Sequence, residues 1–291
     1  MKVRTAVVVA GGLGTRFLPF SRTVPKELLP LVDTPVIDLV VSECAQSGIE
    51  RVVLVTAPGK EALLSYFRPS ARLEERLRHE SRDAELAALV RSEGLAEIQV
   101  AVQSEAKGNG HAVLVAREAV GNEPFAMLWG DDIIVGHDPG LAQLLAARER
   151  LGGSVGGAAR IDRRLAPRYG MFAGREERGA FRVTGLIEKP SPEEAPSDLA
   201  SVHGYVLEPE IFAILERLPP GRAGEVWLAD AVNVLAGREP VWAVELRGRR
   251  YDTGDRSGYV EAFVDHALGR NDVGPALRAH LERAGWRPPQ G

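Results

Sequence analysis

The chain is 291 residues long, 45% hydrophobic and 26% charged, with a formal net charge of −4. That balance fits a globular protein with a sizeable core and argues against a general nucleic-acid binder, whose surface carries excess positive charge. No apolar run approaches the roughly 20 residues of a membrane span, and the N-terminus lacks a signal-peptide pattern. Cys44 is the only cysteine, which excludes an intrachain disulfide and predicts a cytoplasmic protein.

The first predicted element is the apolar run Val3 to Val9, a strand buried on both faces. It passes directly into Ala10-Gly-Gly-Leu-Gly-Thr-Arg16. Glycines at positions 11, 12 and 14 permit a sharp turn that brings bare N–H groups against an anion. Arg16 adds a planar cationic fork suited to phosphate oxygens, and Lys26, between Pro25 and Pro30, supplies a second cation. Strand, glycine turn and two cations predict a nucleoside triphosphate site whose loop comprises Ala10, Gly11, Gly12, Gly14 and Thr15. It is not a P-loop, which needs Gly-Lys-Ser/Thr where Gly14-Thr15-Arg16 stands. Nor is it a dinucleotide fingerprint, because Leu18, Pro19 and Phe20 occupy the place of the third glycine.

Further along, Pro35–Gln46 reads as a helix stopped by Gly48, and Arg51–Thr56 as a strand. Residues 71–91 read as one charged helical segment. Ile98–Val102 and Phe125–Trp129 are strands with a helix, Gly110–Ala119, between them. This alternation predicts an α/β fold: a Rossmann-like, mixed but mostly parallel sheet flanked by helices. After Gly153 the strands shorten (Val155–Ile161, Phe181–Ile187, Val202–Leu207, Val241–Glu245) and read as a mixed extension of the same sheet. Asp255–Leu268 and Pro275–Ala284 close the chain as amphipathic helices. With no low-complexity linker, a single domain spanning 1–291 is expected.

Several polar groups stand at strand ends. Asp131 follows the strand Phe125–Trp129, at the edge where α/β sheets bind ligands. A second acid, Asp252, lies in Tyr251-Asp-Thr-Gly254. Mg²⁺ carrying a triphosphate takes one or two carboxylates and keeps several waters, so two such acids suit it; Asp132 and Asp255 rank below them. Glu188-Lys189-Pro190 ends the strand Phe181–Ile187 and on its own reads as a charged turn. Gln103 precedes Lys107-Gly-Asn-Gly-His111, and its amide offers the donor and acceptor that the edge of uracil requires. His111 reads as a helix-start residue, and His203 is assigned no role.

The Gly-x-Gly-Thr-Arg run followed by Pro-Lys resembles the signature of sugar-1-phosphate nucleotidylyltransferases. Val24-Pro-Lys-Glu-Leu-Leu-Pro-Leu-Val-Asp33-Thr-Pro35 looks like the bacterial UTP–glucose-1-phosphate uridylyltransferases in particular, and the resemblance runs to about residue 284. It implies the nucleotide-diphospho-sugar transferase fold and transfer of a uridylyl group from UTP to glucose 1-phosphate, with Mg²⁺ on Asp131 and Asp252. It also implies catalytic roles for Arg16, Lys26 and Lys189, base reading by Gln103 and Gly108, and sugar binding by Gly170, Glu188 and Glu225. Residues 1–150 would then bind mainly nucleotide, 151–250 mainly sugar, and 251–291 would carry the metal-site loop and C-terminal helices. A homodimer or homotetramer is implied, with those helices as the contact. Asn109, Trp227 and Ala229 depart from the family's usual Leu, Gln and Thr, and they bear on the exact sugar. The alternatives are dTTP or another hexose 1-phosphate as substrate, and a non-catalytic sugar-nucleotide-binding subunit of the same fold. A glycosyltransferase fits poorly, since Asp131-Asp132-Ile133 is not Asp-x-Asp.

Overall fold

Val7 and Val8 have no exposed surface, and neither has the run Val52–Val55. Successive strand residues point to opposite faces, so such runs need cover on both sides of the sheet. The computed structural model describes residues 1–221 and 224–286. From the N-terminus, β1 (Thr5–Val9) leads through a short ribbon, β2 (Pro30–Leu31) and β3 (Thr34–Pro35), into α1 (Val36–Gln46) and β4 (Arg51–Thr56). Three helices follow: α2 (Glu61–Tyr66), α3 (Ala71–His79) and α4 (Asp83–Val90). Then come β5 (Glu97–Val102), α5 (Asn109–Leu114), α6 (Arg117–Val120), β6 (Phe125–Trp129), β7 (Asp132–Val135) and α7 (Gly140–Leu151). The second half contains β8 (Ser154–Arg160), β9 (Gly170–Glu177), β10 (Ala180–Glu188), β11 (Leu199–Leu207), α8 (Glu210–Arg217) and α9 (Leu228–Ala236). It ends with β12 (Val241–Glu245), β13 (Arg249–Asp252), α10 (Arg256–Gly269) and α11 (Gly274–Arg283).

Nine strands form one mixed sheet in the order β5-β4-β1-β6-β11-β8-β12-β10-β9. β5, β4, β1 and β6 run parallel; β4, β1 and β6 are largely apolar and buried, whereas β5, with Glu97 and Gln99, is the half-exposed edge strand. β11 reverses direction against β6, and antiparallel pairing dominates from there, with β8 and β12 the parallel exception. The parallel character thus belongs to the first half of the sheet. β9 pairs with β10 along its length and also, through Gly170 and Met171, with Ser201 and Ala200 of β11, so the far end of the sheet turns back on itself.

The sheet divides the core into two layers. Ala6, Val8, Val52, Leu54, Ala126 and Leu128 pack with Val40 of α1 and Leu144 of α7. Val7, Val53, Val55, Phe125 and Met127 point the other way, toward Val113 of α5, Ile211 of α8 and Val232 of α9. Each fully buried Val, Leu or Phe contributes about 1.5–3 kcal/mol of burial free energy, so both layers hold the carboxyl ends of β1, β4 and β6 rigidly. A separate two-stranded ribbon, β7 with β13, pairs Asp132 opposite Asp252.

Two helix expectations are corrected. The segment 71–91 is not one helix: α3 and α4 are separated at Ser81, whose φ of 52° is left-handed. The helix expected at 110–119 is divided between α5 and α6. β7, β9, β13, α7, α8 and α9 had no sequence expectation. Among the described residues no helix is long and apolar enough to cross a membrane. Cys44 is buried in α1, as expected of a small hydrophobe. The expected single domain includes residues 222–223 and 287–291, which lie outside the described residues.

Candidate active site

The glycine loop leaves β1 at the carboxyl edge of the parallel strands. Ala10 N donates to Val55 O at 2.8 Å, which fastens its start to β4. Ser21 Oγ donates to Gly14 O at 2.7 Å and holds the loop's return. Arg16 reaches across to the far end of the chain: its Nη1 donates to Gly254 O at 3.1 Å, and Arg256 Nε donates back to Arg16 O. Tyr259 adds a hydroxyl bond to Pro30 O at 2.8 Å and an edge contact with Phe17.

Lys26 forms an ion pair and hydrogen bond with Asp131. Burial works against its charge, but Asp131 and Glu27 outweigh burial and hold the ammonium above its ordinary pKa. Beneath it lies a buried pair that the sequence did not signal. Lys60 Nζ donates to both oxygens of Glu27, at 3.0 and 2.8 Å, and to Ala10 O at 2.6 Å. Burial raises the Glu27 pKa and lowers that of Lys60, each partly offset by the other. Lys60 thereby braces the loop's first residue and the turn that carries Lys26.

Asp131 and Asp252 come together where the ribbon meets β6. Thr253 donates twice to Asp131 O, from its N at 2.8 Å and from its Oγ1 at 2.7 Å. A Cβ on Gly254 would overlap Asp131 Oδ2 and lie 3.1 Å from Asp252 Oδ1, so both carboxylates face a space that glycine keeps open. Burial, then the negative charge of Asp131, raises the Asp252 pKa. Among the described residues no group of three or more His, Cys, Asp or Glu side chains is placed to hold a metal. Two carboxylates suit a hard cation that completes its shell with phosphate oxygens and water, as Mg²⁺ does. Asp132 is not grouped with them, and Arg250 engages both its oxygens. Asp255 Oδ2 lies 3.5 Å from Arg168 Nη2, which also approaches Asp252 Oδ2 at 3.8 Å.

A cavity of about 300 Å³ joins this pair to the second half of the sheet, with Arg16, Asp131, Gly170, Glu188, Lys189 and Asp252 on its lining. Gly170 opens β9 opposite Glu188 of β10. A Cβ at Gly170 would stand 3.2 Å from Glu188 Oε2. Burial raises the Glu188 pKa, and Lys189 opposes that rise. Lys189 is left-handed, with φ 49°, and its N donates to Tyr169 O at 2.9 Å. Its Nζ lies 3.4 Å from Glu188 Oε1 and 5.0 Å from the centre of the Trp227 ring.

Gln103 continues from β5 and donates through its N to Thr56 O at 2.8 Å. Its Nε2 donates to Gly108 O at 2.9 Å and approaches His111 Nδ1 at 3.0 Å. Burial lowers the His111 pKa, which favours the neutral ring able to accept that bond. Gly108 has φ 95°, and a Cβ there would lie 2.6 Å from Val226 O, so the position requires glycine. This close approach packs the Gln103 side against the segment carrying Glu225; Glu225, Gln103 and Gly108 themselves stand outside the cavity lining. Of the departures from the usual pattern, Asn109 accepts from Leu228 N at 2.8 Å at the start of α9, and Trp227 lies beneath the Lys189 ammonium. His203 is wholly buried and bonded to Glu43 and Asp132. Arg250 and Lys60 are the side chains that sequence reasoning passed over, and Tyr169 was noted only as the neighbour of Gly170.

The nucleotidyl transferase family model matches residues 5–268. The chain is 41% identical over 282 residues to UTP–glucose-1-phosphate uridylyltransferase YngB of Bacillus subtilis (strain 168), covering 97% of this chain and 95% of that protein. A second B. subtilis protein, named UTP–glucose-1-phosphate uridylyltransferase, is 38% identical over 282 residues, with 97% of each chain covered. Among solved structures, the UTP-bound UGPase from Acinetobacter baumannii superposes with a TM-score of 0.90 at 30% identity, over 97% of this chain and 99% of that one. A UDP-glucose pyrophosphorylase complexed with UDP-glucose gives 0.82 at 33% identity, over 92% and 100%. With that coverage, and with a mixed sheet carrying a glycine loop, two cations and a carboxylate pair at its parallel edge, the chain belongs to the nucleotidyl transferase family.

Proposed function

We propose that this chain transfers a uridylyl group from UTP to glucose 1-phosphate, giving UDP-glucose and pyrophosphate. The observation that carries the reading is one cleft onto which Arg16, the Asp131–Asp252 pair and the Glu188–Lys189 pair converge. Likeness to relatives named for that reaction supports the choice of substrates.

An oxygen of the sugar's phosphate forms a bond to the α-phosphorus of UTP. The bond from that phosphorus to the bridging oxygen breaks, and its electron pair leaves with pyrophosphate. The attacking oxygen is already ionised near neutral pH, so the step needs no general base. It needs two mutually repelling anions held in line, and positive charge where charge develops. Arg16 would receive the β- and γ-phosphates, and Lys26 the α/β region. Lys189 would hold the attacking phosphate, while Glu188, facing Gly170, accepts from sugar hydroxyls. Gln103 and Gly108 would meet the uracil edge, with Glu225 on the sugar side. Mg²⁺ on Asp131 and Asp252 would supply charge neutralisation at the α-phosphate.

On this reading residues 1–150 serve mainly the nucleotide, 151–250 mainly the sugar, and 251–291 the cation loop and C-terminal helices. The same reading takes the protein as cytoplasmic and as a homodimer or homotetramer. The exposed Val260 and Phe263 on α10 favour a contact there, and light scattering that finds a monomer would remove it.

The test is pyrophosphate release with Mg²⁺ over a grid of nucleoside triphosphates and hexose 1-phosphates. Selective turnover of UTP with glucose 1-phosphate is expected. Preference for dTTP or another sugar would overturn the substrate assignment and leave the chemistry. Silence from folded protein that still binds UDP-glucose would overturn the catalytic reading.

A further inference from the structure

Arg250 sits inside the cleft and has no part in the reaction as described. Its Nε donates to Asp132 Oδ1 and Oδ2 at 2.9 Å each, and its Nη2 to Oδ2 at 2.6 Å. Its Nη1 donates to the Tyr169 hydroxyl at 3.2 Å, and the guanidinium carbon lies 5.0 Å from the Tyr169 ring centre. The Arg250 and Asp132 side chains are 18% and 6% exposed, and both line the cavity. Asp132 directly follows Asp131 at the start of β7, and Arg250 shares β13 with Asp252, so the clamp is built on the same two segments that carry the cation pair. Tyr169 belongs to the opposite wall: its O accepts from Lys189 N at 2.9 Å, and it directly precedes Gly170.

We propose that Arg250 is a positioning residue with two separable effects. By engaging both oxygens of Asp132 it keeps a third carboxylate out of the cation site. By stacking on Tyr169 and bonding its hydroxyl, it fixes Lys189 and Gly170 against the sugar phosphate. A guanidinium can grip a planar carboxylate and cover an aromatic face at once; an ammonium cannot do both. Among the described residues, the Asp132 carboxylate has one further hydrogen bond, from His203 N at 3.0 Å. Asp132 stands opposite Asp252 in the ribbon and lines the same cavity as Asp131 and Asp252, so its carboxylate, freed of Arg250, would turn toward the space those two share. The sugar-phosphate effect rests on the proposed function, whereas the cation effect does not.

The two effects predict changes of opposite sign in one variant. Titration of Mn²⁺ into nucleotide-free protein should show Arg250→Met binding tighter than wild type, on the order of tenfold, the usual scale of outer-shell changes at metal sites. The KM for glucose 1-phosphate should rise on a similar order in the same variant. General loosening of the site would weaken both. The double variant Arg250→Met/Asp132→Asn removes both charges, so it folds even where the single one leaves an unpaired buried carboxylate. It should return Mn²⁺ affinity to the wild-type value and keep the weakened sugar phosphate. Arg250→Lys should rescue neither effect fully. Weaker Mn²⁺ binding in folded Arg250→Met, or an unchanged glucose 1-phosphate KM in either Met variant, would overturn the proposal. Wild-type protein that turns over no sugar phosphate would sink the proposed function alone, because the Mn²⁺ titration still reads the clamp.

Discussion

At Asp131 one carboxylate accepts the Lys26 ammonium and faces Asp252 across the space kept by Gly254. Replacing it with Asn keeps the shape and removes the charge. Asp131→Asn should lower kcat on the order of 10²-fold, as loss of several kcal/mol of transition-state charge stabilisation requires. Pyrophosphate release by the folded variant at the wild-type rate would remove Asp131 from the site. Lys189 lies at the opposite wall, between Glu188 and Trp227. Lys189→Ala should raise the glucose 1-phosphate KM and lower kcat while leaving the KM for UTP near wild type; steady-state kinetics with each substrate varied separates these. Arg16, Lys26, Asp131 and Asp252 stood out as candidates in the sequence because each sits in a compact run of distinctive residues. Glu188 and Lys189 read alone as a charged turn and were singled out only by the family resemblance. Arg250 and Lys60 were not singled out. Their meaning lies in partners 118 and 33 residues away, Asp132 and Glu27, that no local pattern joins to them.

The elements that carry these side chains are held by a few side-chain-to-backbone bonds. Asn233 of α9 accepts from Leu186 N at 2.5 Å and donates to Leu186 O at 2.9 Å. It grips β10 just past its irregularity at Val183 and Gly185, and just before Glu188. Asn233→Ala should cost about 1–3 kcal/mol, the usual result of stranding a buried backbone donor. It should also raise the glucose 1-phosphate KM as the strand end drifts; urea unfolding and kinetics read the two effects, and unchanged values would mean that water replaces the amide. At this scale β1, β4 and β6 were plain in the sequence because burial on both faces leaves them apolar throughout. β9 and β13 were not, since their exposed and charged residues, Arg175, Glu176 and Arg249 among them, hide a short strand pattern. The break between α3 and α4 turns on the left-handed Ser81, a residue with no strong preference for that conformation.

For the molecule as a whole, His203 ties β11 to α1, α7 and the β7 ribbon. Its Nε2 lies 2.9 Å from Glu43 Oε1, and that oxygen also accepts from Leu141 N at 2.7 Å, while its own N donates to Asp132. Burial disfavours the charged ring, but Glu43 and Asp132 outweigh it and raise the pKa above the ordinary 6.5. The folded protein then binds this proton more tightly than the unfolded chain does. The resulting stabilisation is complete below about pH 6.5 and is lost as pH rises through the raised value. The thermal midpoint of the wild type should fall across that range more steeply than that of His203→Gln; parallel curves would show that another group governs the slope. Sheet order was beyond the sequence at this scale. Nothing local tells β11 to enter between β6 and β8, or β9 to meet β11 as well as β10, because those pairings join strands far apart in sequence.

The bonds joining Arg16 to Gly254 and Arg256, and Tyr259 to Pro30, have a consequence in time. A ribosome makes the glycine loop about 240 residues before the groups that anchor it. Through most of synthesis the growing chain thus carries a loop able to turn but with no far wall to close against. Asp252 and Gly254 emerge together with those anchors, so the cation pair and the final setting of the loop arrive in the same few residues. A chain cut short before that point lacks both at once.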